Sequence, residues 1–226
     1  MTAARWLLAP ALMWAGYTWG SHLLTLGCIW TGRGEEHAAT LTFDDGPDPE
    51  YTPRVLDVLG RHGVRGAFFL IGERARRAPG VVGRIVAEGH DLGNHTWSHR
   101  SLWLCGPAET ARQVREGHDA IADTAGQAPR FFRPPWGMTN MALFPVLRRL
   151  ATPCIFWSVQ PEGRRAVSAP RQVEASLRRV LPGAILDLHD ADGVPGAGAR
   201  LVEALPGLIE ALSARGYALV PLRDLL

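Results

Sequence analysis

The sequence is poor in the features that mark redox, nucleotide-binding or nucleic-acid-binding proteins. It has three cysteines, Cys28, Cys105 and Cys154, widely spaced and with no C-x-x-C among them. That argues against a disulfide framework and against a thiolate metal site, and the three read as buried, inert thiols. No G-x-G-x-x-G and no G-x-x-x-x-G-K-S/T occurs. The glycine loops that cradle nucleotide phosphates are therefore missing, and no nucleotide cofactor is expected. Lysine is absent; arginine supplies the basic charge, in short runs at 74–77, 148–149, 164–165 and 178–179, and the formal net charge is only +2. Such runs read as solvated helix and loop faces and give no footing for nucleic acid. Internal repeats and low-complexity tracts are missing as well.

What the chain does have is apolar material for one core: 226 residues, 46% hydrophobic and 20% charged. That length fills one core well and is short for two large domains. The longest apolar run is Trp6 to Trp30, broken by one histidine, His22. A run of that length can cross a bilayer as a helix, with Trp6 and Trp30 at the two interfaces. Arg5 and the α-amine precede it, while Arg33 is followed by Glu35 and Glu36. That bias keeps the N-terminus inside and puts the rest outside. The expected organisation is residues 1–35 as a membrane anchor and linker, and residues 36–226 as an extracytoplasmic globular domain. A cleaved signal peptide, with a secreted product, and a helix docked on the protein's own surface are the alternatives.

Beyond the linker, apolar strand-like runs alternate with longer helical patterns. Strands are expected at 39–43, 66–72, 91–95, 131–137, 154–159, 184–190 and 217–221. Helices are expected at 52–63, 79–90, 107–126, 140–151, 170–183 and 198–216, the first with Thr52 as N-cap and the fourth with an awkward Pro145. This alternation argues an α/β fold with a mostly parallel sheet and helices outside it. About seven strands favour barrel-like closure, with an open sheet as the alternative.

Four strand ends carry side chains suited to chemistry: Asp44 and Asp45, His95, Arg133 and His189. In β/α barrels and open α/β sheets, the C-terminal strand ends frame the active site. Asp44 and Asp45 end an apolar strand and run straight into Gly46 and Pro47, a tight turn. Adjacent carboxylates repel, so a nearby cation is expected. Turn-capping is the plainer use of such a cluster, and Asp48 fits it. The stretch "GNHTWSHR" (93–100) sets His95 and His99 four apart. On a helical turn that spacing faces both the same way, although two unrelated histidines would read alike. Two histidines and a carboxylate are a common catalytic zinc set. The doublet supplies that carboxylate and one to spare, and a spare carboxylate can act as a base that stays off the metal.

"TFDDGP" (42–47), "HTWSH" (95–99), "RPPWG" (133–137) and "LHD" (188–190) together resemble four of the five motifs of the polysaccharide deacetylase family, the NodB-homology enzymes of carbohydrate esterase family 4. The similarity runs from about Ala39 onward. It implies an irregular (β/α) barrel and metal-dependent removal of N-acetyl, sometimes O-acetyl, groups from peptidoglycan, chitin or another N-acetylhexosamine polymer. The resemblance makes Asp44 the general base. It makes Asp45, His95 and His99 the ligands of a divalent ion, Zn2+ foremost, with Co2+ or another divalent ion as alternatives. Arg133 would orient the base, the Trp136 backbone N–H would donate to the oxyanion, and His189 would protonate the leaving amine. The partner that the resemblance implies is a glycan; the apolar run at Trp6–Trp30 separately adds a bacterial membrane as an expected partner.

Two stretches depart from the family pattern. The fourth motif expects an Asp–Trp pair after a tryptophan-bearing strand, yet this chain reads "WSVQPEGRR" (157–165), with Gly163 and Arg164 in those places. The fifth motif expects a leucine two residues before its histidine, and this chain has Asp187. Residues two apart in a strand share a face, so Asp187 should point the same way as His189. The expectation is that Asp187 replaces the lost carboxylate by pairing with Arg133 or His189, with Glu162 the weaker stand-in. A polar acyl pocket favours O-deacetylation or another small amide as the competing activity, and the broken fourth motif favours a non-catalytic glycan-binding relative.

Overall fold

The computed structural model describes residues 3–23, 27–33, 37–162, 166–193 and 195–226. Its strands are β1 (Cys28–Ile29), β2 (Ala38–Asp44), β3 (Ala67–Leu70), β4 (Asp91–Asn94), β5 (Phe131–Phe132), β6 (Cys154–Ile155), β7 (Ala184–His189) and β8 (Ala218–Leu219). The helices are α1 (Ala3–Leu23), α2 (Tyr51–His62), α3 (Gly72–Arg77), α4 (Pro79–Ala87), α5 (Pro107–Ala125), α6 (Leu143–Arg149), α7 (Ala169–Arg179), α8 (Ala197–Ala214) and α9 (Leu222–Leu225).

The strands form one parallel sheet in the order β1-β6-β5-β4-β3-β2-β7, with β8 beside β2. The sheet curls until its ends meet. Val159, just past β6, bridges Leu186 of β7, and Thr31, just past β1, bridges Ala184. The result is the expected irregular β/α barrel, closed by an extra, two-residue strand at Cys28–Ile29.

β2 shows why these residues make this fold. Its odd positions, Ala39, Leu41 and Phe43, are fully buried in the cluster that also holds Val55, Leu59 and Leu205 of the outer helices. Its even positions, Thr40, Thr42 and Asp44, face the other way, into the barrel. The lower interior is apolar, filled by Phe69, Ile155 and Ile185 and plugged by Leu222 and Leu225. Gly93, opposite Phe69 across β3 and β4, must be glycine because a Cβ there would run into the Phe69 ring. The upper interior is left to Thr42, Asp44, Arg133 and Asp187, all buried.

Several boundaries differ from the sequence reading. Thr52 lies inside α2 and Glu50 takes the N-cap position, while the Asp48 carboxylate accepts from the Glu50 and Tyr51 N–H groups, both at 2.8 Å. The Thr52 hydroxyl instead donates to Asp190 Oδ2 at 2.5 Å. β5 ends at Phe132 because Pro134 and Pro135 cannot donate to a ladder. α6 starts only at Leu143, where the Asn140 side chain accepts from Ala142 N–H and Leu143 N–H. Pro145 thus falls in the first helical turn, where its missing N–H costs nothing.

The bilayer-crossing helix over Trp6–Trp30 is corrected. Among the described residues no helix is long and apolar enough to cross a membrane. α1 ends at Leu23, Gly27 turns the chain at φ 103°, and Cys28 enters the barrel. Polar residues inside the run explain this. Tyr17 Oη donates to Cys105 O (3.2 Å), Ser21 Oγ meets Thr139 Oγ1 (3.0 Å), and Met141 N–H donates to Tyr17 O (3.1 Å). The expected linker is partly barrel too: Gly32 N–H bonds Gly183 O (2.8 Å) and Arg33 N–H bonds Leu225 O (3.1 Å). Residues 34–36, where the domain boundary was expected, lie outside the described residues.

Candidate active site

β2, β4, β5 and β7 deliver the predicted side chains to one mouth of the barrel, around a cleft of about 180 Å3 lined by Asp44, Asp45, His95, His99, Asp187 and His189 among others. β2 and β7 run in register, so Asp44 stands directly opposite His189, and Thr42 opposite Asp187.

Asp45 leaves β2 in the left-handed region (φ 72°), which turns its carboxylate away from that of Asp44. His95 and His99 reach the same point, though not from a helix. They sit on a loop after β4 in which Thr96 (φ 70°) and His99 (φ 54°) are also left-handed, and backbone strain of this kind gathers at functional sites. His99 N–H donates to Thr96 Oγ1 at 3.1 Å, which holds that turn. Asp45 Oδ1 is 3.0 Å from His99 Nε2 and 3.6 Å from His95 Nε2.

These residues fit a divalent metal. The ligand atoms of Asp45, His95 and His99 all lie within 4.8 Å of one another. Asp45 Oδ1 is buried yet has no aligned hydrogen-bond partner, despite its closeness to His99. An orphaned anionic oxygen facing two imidazole nitrogens is what a cation would satisfy. His95 Nδ1 lies 2.7 Å from Arg133 O, which places the proton on Nδ1 and leaves the Nε2 lone pair directed inward. Burial pushes the His95 pKa down to about 4, so the ring is the neutral form that ligates. Burial pushes Asp45 up, but the contact with His99 and the His99, His95 and His189 rings around it outweigh that and hold it below the usual carboxylate range.

Asp44 is kept apart from this trio by Arg133, a fully buried guanidinium. Its Nη1 donates to Asp44 Oδ1 and to Thr42 Oγ1, both at 2.7 Å. Nε and Nη2 donate to Ile155 O (3.3 Å) and Phe156 O (3.0 Å), and the group lies 4.0 Å over the Phe69 ring. One Asp44 oxygen is thus fixed, while the other is 3.8 Å from His95 Nε2.

Asp187 reaches Arg133 Nη1 only loosely, at 3.5 Å, and accepts its best hydrogen bond from Gln160 Nε2 at 2.8 Å. Gln160 is the partner that sequence reasoning missed; it lies in a stretch with no periodicity to mark it. Burial, then repulsion from Asp44, pushes Asp187 up to about 7. Burial pulls the His189 imidazole down, but Asp187, Asp45, Asp44 and Glu162 together raise it above its ordinary value. Glu162 is committed elsewhere, to Arg200 at 2.9 and 2.6 Å. Gly163 and Arg164, which stand in the places of the expected Asp–Trp pair, lie outside the described residues. Trp136 (φ 55°) is half exposed on the rim, its ring 4.4 Å from that of His99. His90 and Asp91, at the other end of β4, serve structure: His90 Nδ1 accepts from Gly66 N–H (3.1 Å) and Asp91 pairs with Arg223 (2.6 Å).

Gly193 was also missed. A Cβ at this position would collide with Asp45 Oδ2. Gly193→Ala is therefore expected to displace the Asp45 carboxylate and weaken metal binding by at least roughly 10-fold while the far-UV circular dichroism stays unchanged, as titration with a chelating competitor would show.

Fold and site together define a barrel hydrolase with a candidate divalent-metal centre, and comparison with known proteins places it more closely. The polysaccharide deacetylase family profile matches residues 31–155. A chitooligosaccharide deacetylase of Bradyrhizobium sp. (strain ANU 289) is 39% identical over 196 residues, covering 82% of this chain and 89% of that protein. A peptidoglycan-N-acetylglucosamine deacetylase of Bacillus cereus is 34% identical over 211 residues, covering 92% of this chain and 74% of its own. A crystal structure of a peptidoglycan N-acetylglucosamine deacetylase with 4-naphthalen-1-yl-N-oxidanyl-benzamide superposes with a TM-score of 0.84 at 33% identity, over 92% of this chain and 96% of that one. The chain belongs to the polysaccharide deacetylase family.

Proposed function

We propose that the chain removes N-acetyl groups from an N-acetylglucosamine polymer of the cell envelope, peptidoglycan or a chitin-like glycan. The observation that carries this is the separation of two adjacent carboxylates into different jobs: Asp45 faces His95 and His99, and Asp44 is held by Arg133. The named activities of the relatives support the substrate class.

Asp45, His95 and His99 would hold the ion, zinc by the donor set, and it would supply Lewis acidity at the acetyl carbonyl. Asp44 takes the proton of the attacking water with the oxygen that Arg133 leaves unengaged. The Trp136 backbone N–H serves the oxyanion, a role supported by the position of Trp136 beside His99 on the rim. His189, across the strand pair from Asp44, gives its proton to the amine nitrogen as the C–N bond breaks. Its raised pKa favours the protonated form that this step needs.

A second reading has its own observation. Asp187 and Gln160 put a hydrogen-bonded carboxylate on the cleft wall, which suits a more polar acyl group or an O-acetyl ester. Mass-spectrometric product analysis of zinc-loaded protein with peptidoglycan fragments, chitooligosaccharides and O-acetylated glycans separates the two. Acetate lost from nitrogen supports the first reading; loss from oxygen alone overturns it. Because the substrate is an envelope glycan, we place the domain outside the cytoplasm, and cell fractionation with protease accessibility tests that.

Asp187→Asn is expected to move the basic limb of the pH–rate profile to lower pH. The Asp187 carboxylate helps raise His189, whose acid form is lost as pH rises through its pKa. Removing that charge lowers the pKa, so the loss begins sooner. Asp187 itself titrates near 7, so the two profiles should diverge mainly above that pH. Asp187→Leu should show the same shift, and superimposed profiles for the three proteins would rule the coupling out.

A further inference from the structure

Two of the cysteines are not unrelated. Cys28 on β1 and Cys154 on β6 are register partners on neighbouring parallel strands. The Cys154 thiol lowers the Cys28 pKa, while burial and then the Cys28 thiol raise that of Cys154. Cys154 is buried, and Cys28 is half-buried against the cluster that holds Cys154, Phe132 and Leu147. Cys105 is engaged separately, its thiol directed at Ser101 O at 3.3 Å.

We propose that Cys28 and Cys154 form a disulfide that fastens the closing strand β1 to the barrel. Adjacent strands stand about 4.7–4.9 Å apart, inside the roughly 4.4–6.8 Å Cα span that a disulfide bridges. The brace would act where closure is thinnest. β1 is two residues long, and Phe156 N–H to Ile29 O (2.7 Å) and Gly32 N–H to Gly183 O (2.8 Å) are among the bonds that seat it and the turn after it. It would also act next to the active site, since Ile155 O and Phe156 O, directly after Cys154, accept from Arg133.

The chemistry is a thiol–disulfide exchange with a small-molecule disulfide such as glutathione disulfide. The Cys28 thiolate, the more accessible and more acidic of the pair, attacks one sulfur and releases one glutathione thiolate. Cys154 then attacks the Cys28 sulfur, its proton passing to the departing glutathione. Two protein thiols are oxidised and one glutathione disulfide is reduced to two glutathiones.

The test uses the full chain, first reduced and then equilibrated with glutathione disulfide. The expected product has lost about 2 Da, and its free thiols after denaturation fall from three to one. A peptide map should join Cys28 to Cys154. The oxidised protein should melt several degrees above the reduced one, because the bond closes a long loop in the unfolded chain. That difference should vanish in Cys28→Ser. Persistence of all three thiols, a stable glutathione adduct on Cys28 with Cys154 free, or a cross-link through Cys105 would overturn the proposal. The peptide map of the unaltered chain decides the matter if the variant does not fold.

Discussion

His99→Ala is expected to reduce bound divalent metal to trace levels and activity to that of the chelator-stripped protein. His99 is one of the three proposed donors, and its Nε2 is closer to Asp45 than that of His95, at 3.0 Å. Losing an outer-shell partner costs a metal site roughly 10–100-fold in affinity, so losing a direct ligand should cost more. His99 sits on a loop with its side chain one-fifth exposed. The fold should therefore survive, and far-UV circular dichroism would confirm that. His62→Ala and His118→Ala, on α2 and α5, should change neither metal content nor rate. Full activity in His99→Ala with metal still bound would remove His99 from the site.

Asp44→Asn should separate chemistry from metal binding. Asparagine keeps an oxygen for Arg133 but cannot take a proton, so the rate should fall by about 10²–10⁴-fold, the usual worth of a positioned base. Bound metal should stay at the wild-type level, because Asp44 lies outside the group formed by Asp45, His95 and His99. A parallel loss of metal would mean that Asp44 is a ligand instead. Arg133→Ala is a harsher change. It leaves Asp44 buried and unpaired, along with two carbonyls that had accepted from the guanidinium. Breaking a buried pair in this way costs about 3–5 kcal/mol, so a lowered melting temperature should accompany the lost activity.

The barrel was legible in the sequence because strands buried on both faces leave short apolar runs between amphipathic helices. β2, β4 and β7 were found within a residue or two, and the side chains singled out at their C-terminal ends do converge. What escaped had no period to reveal it. α3 and α9 span six and four residues, too few turns for a repeating apolar face. β1 was hidden inside a hydrophobic run that read as one helix, and only Gly27 marks the break. The histidine pair was recognised for a reason that proved incidental. The spacing of four mattered less than two left-handed residues, which sequence patterns do not announce. Gln160 and Gly193 were invisible because their importance lies entirely in what approaches them from elsewhere in the chain.

The strand order bears on how the site is assembled. All three proposed metal ligands come from the residue after β2 and the loop that follows β4, strands joined through β3 and close together in the chain. His189 arrives only when β7, the far end of the sheet path, pairs with β2. Such distant pairings bear the larger loop-closure cost and tend to form late. A chain emerging from the ribosome would thus complete its ion-binding half before its proton-donating half exists.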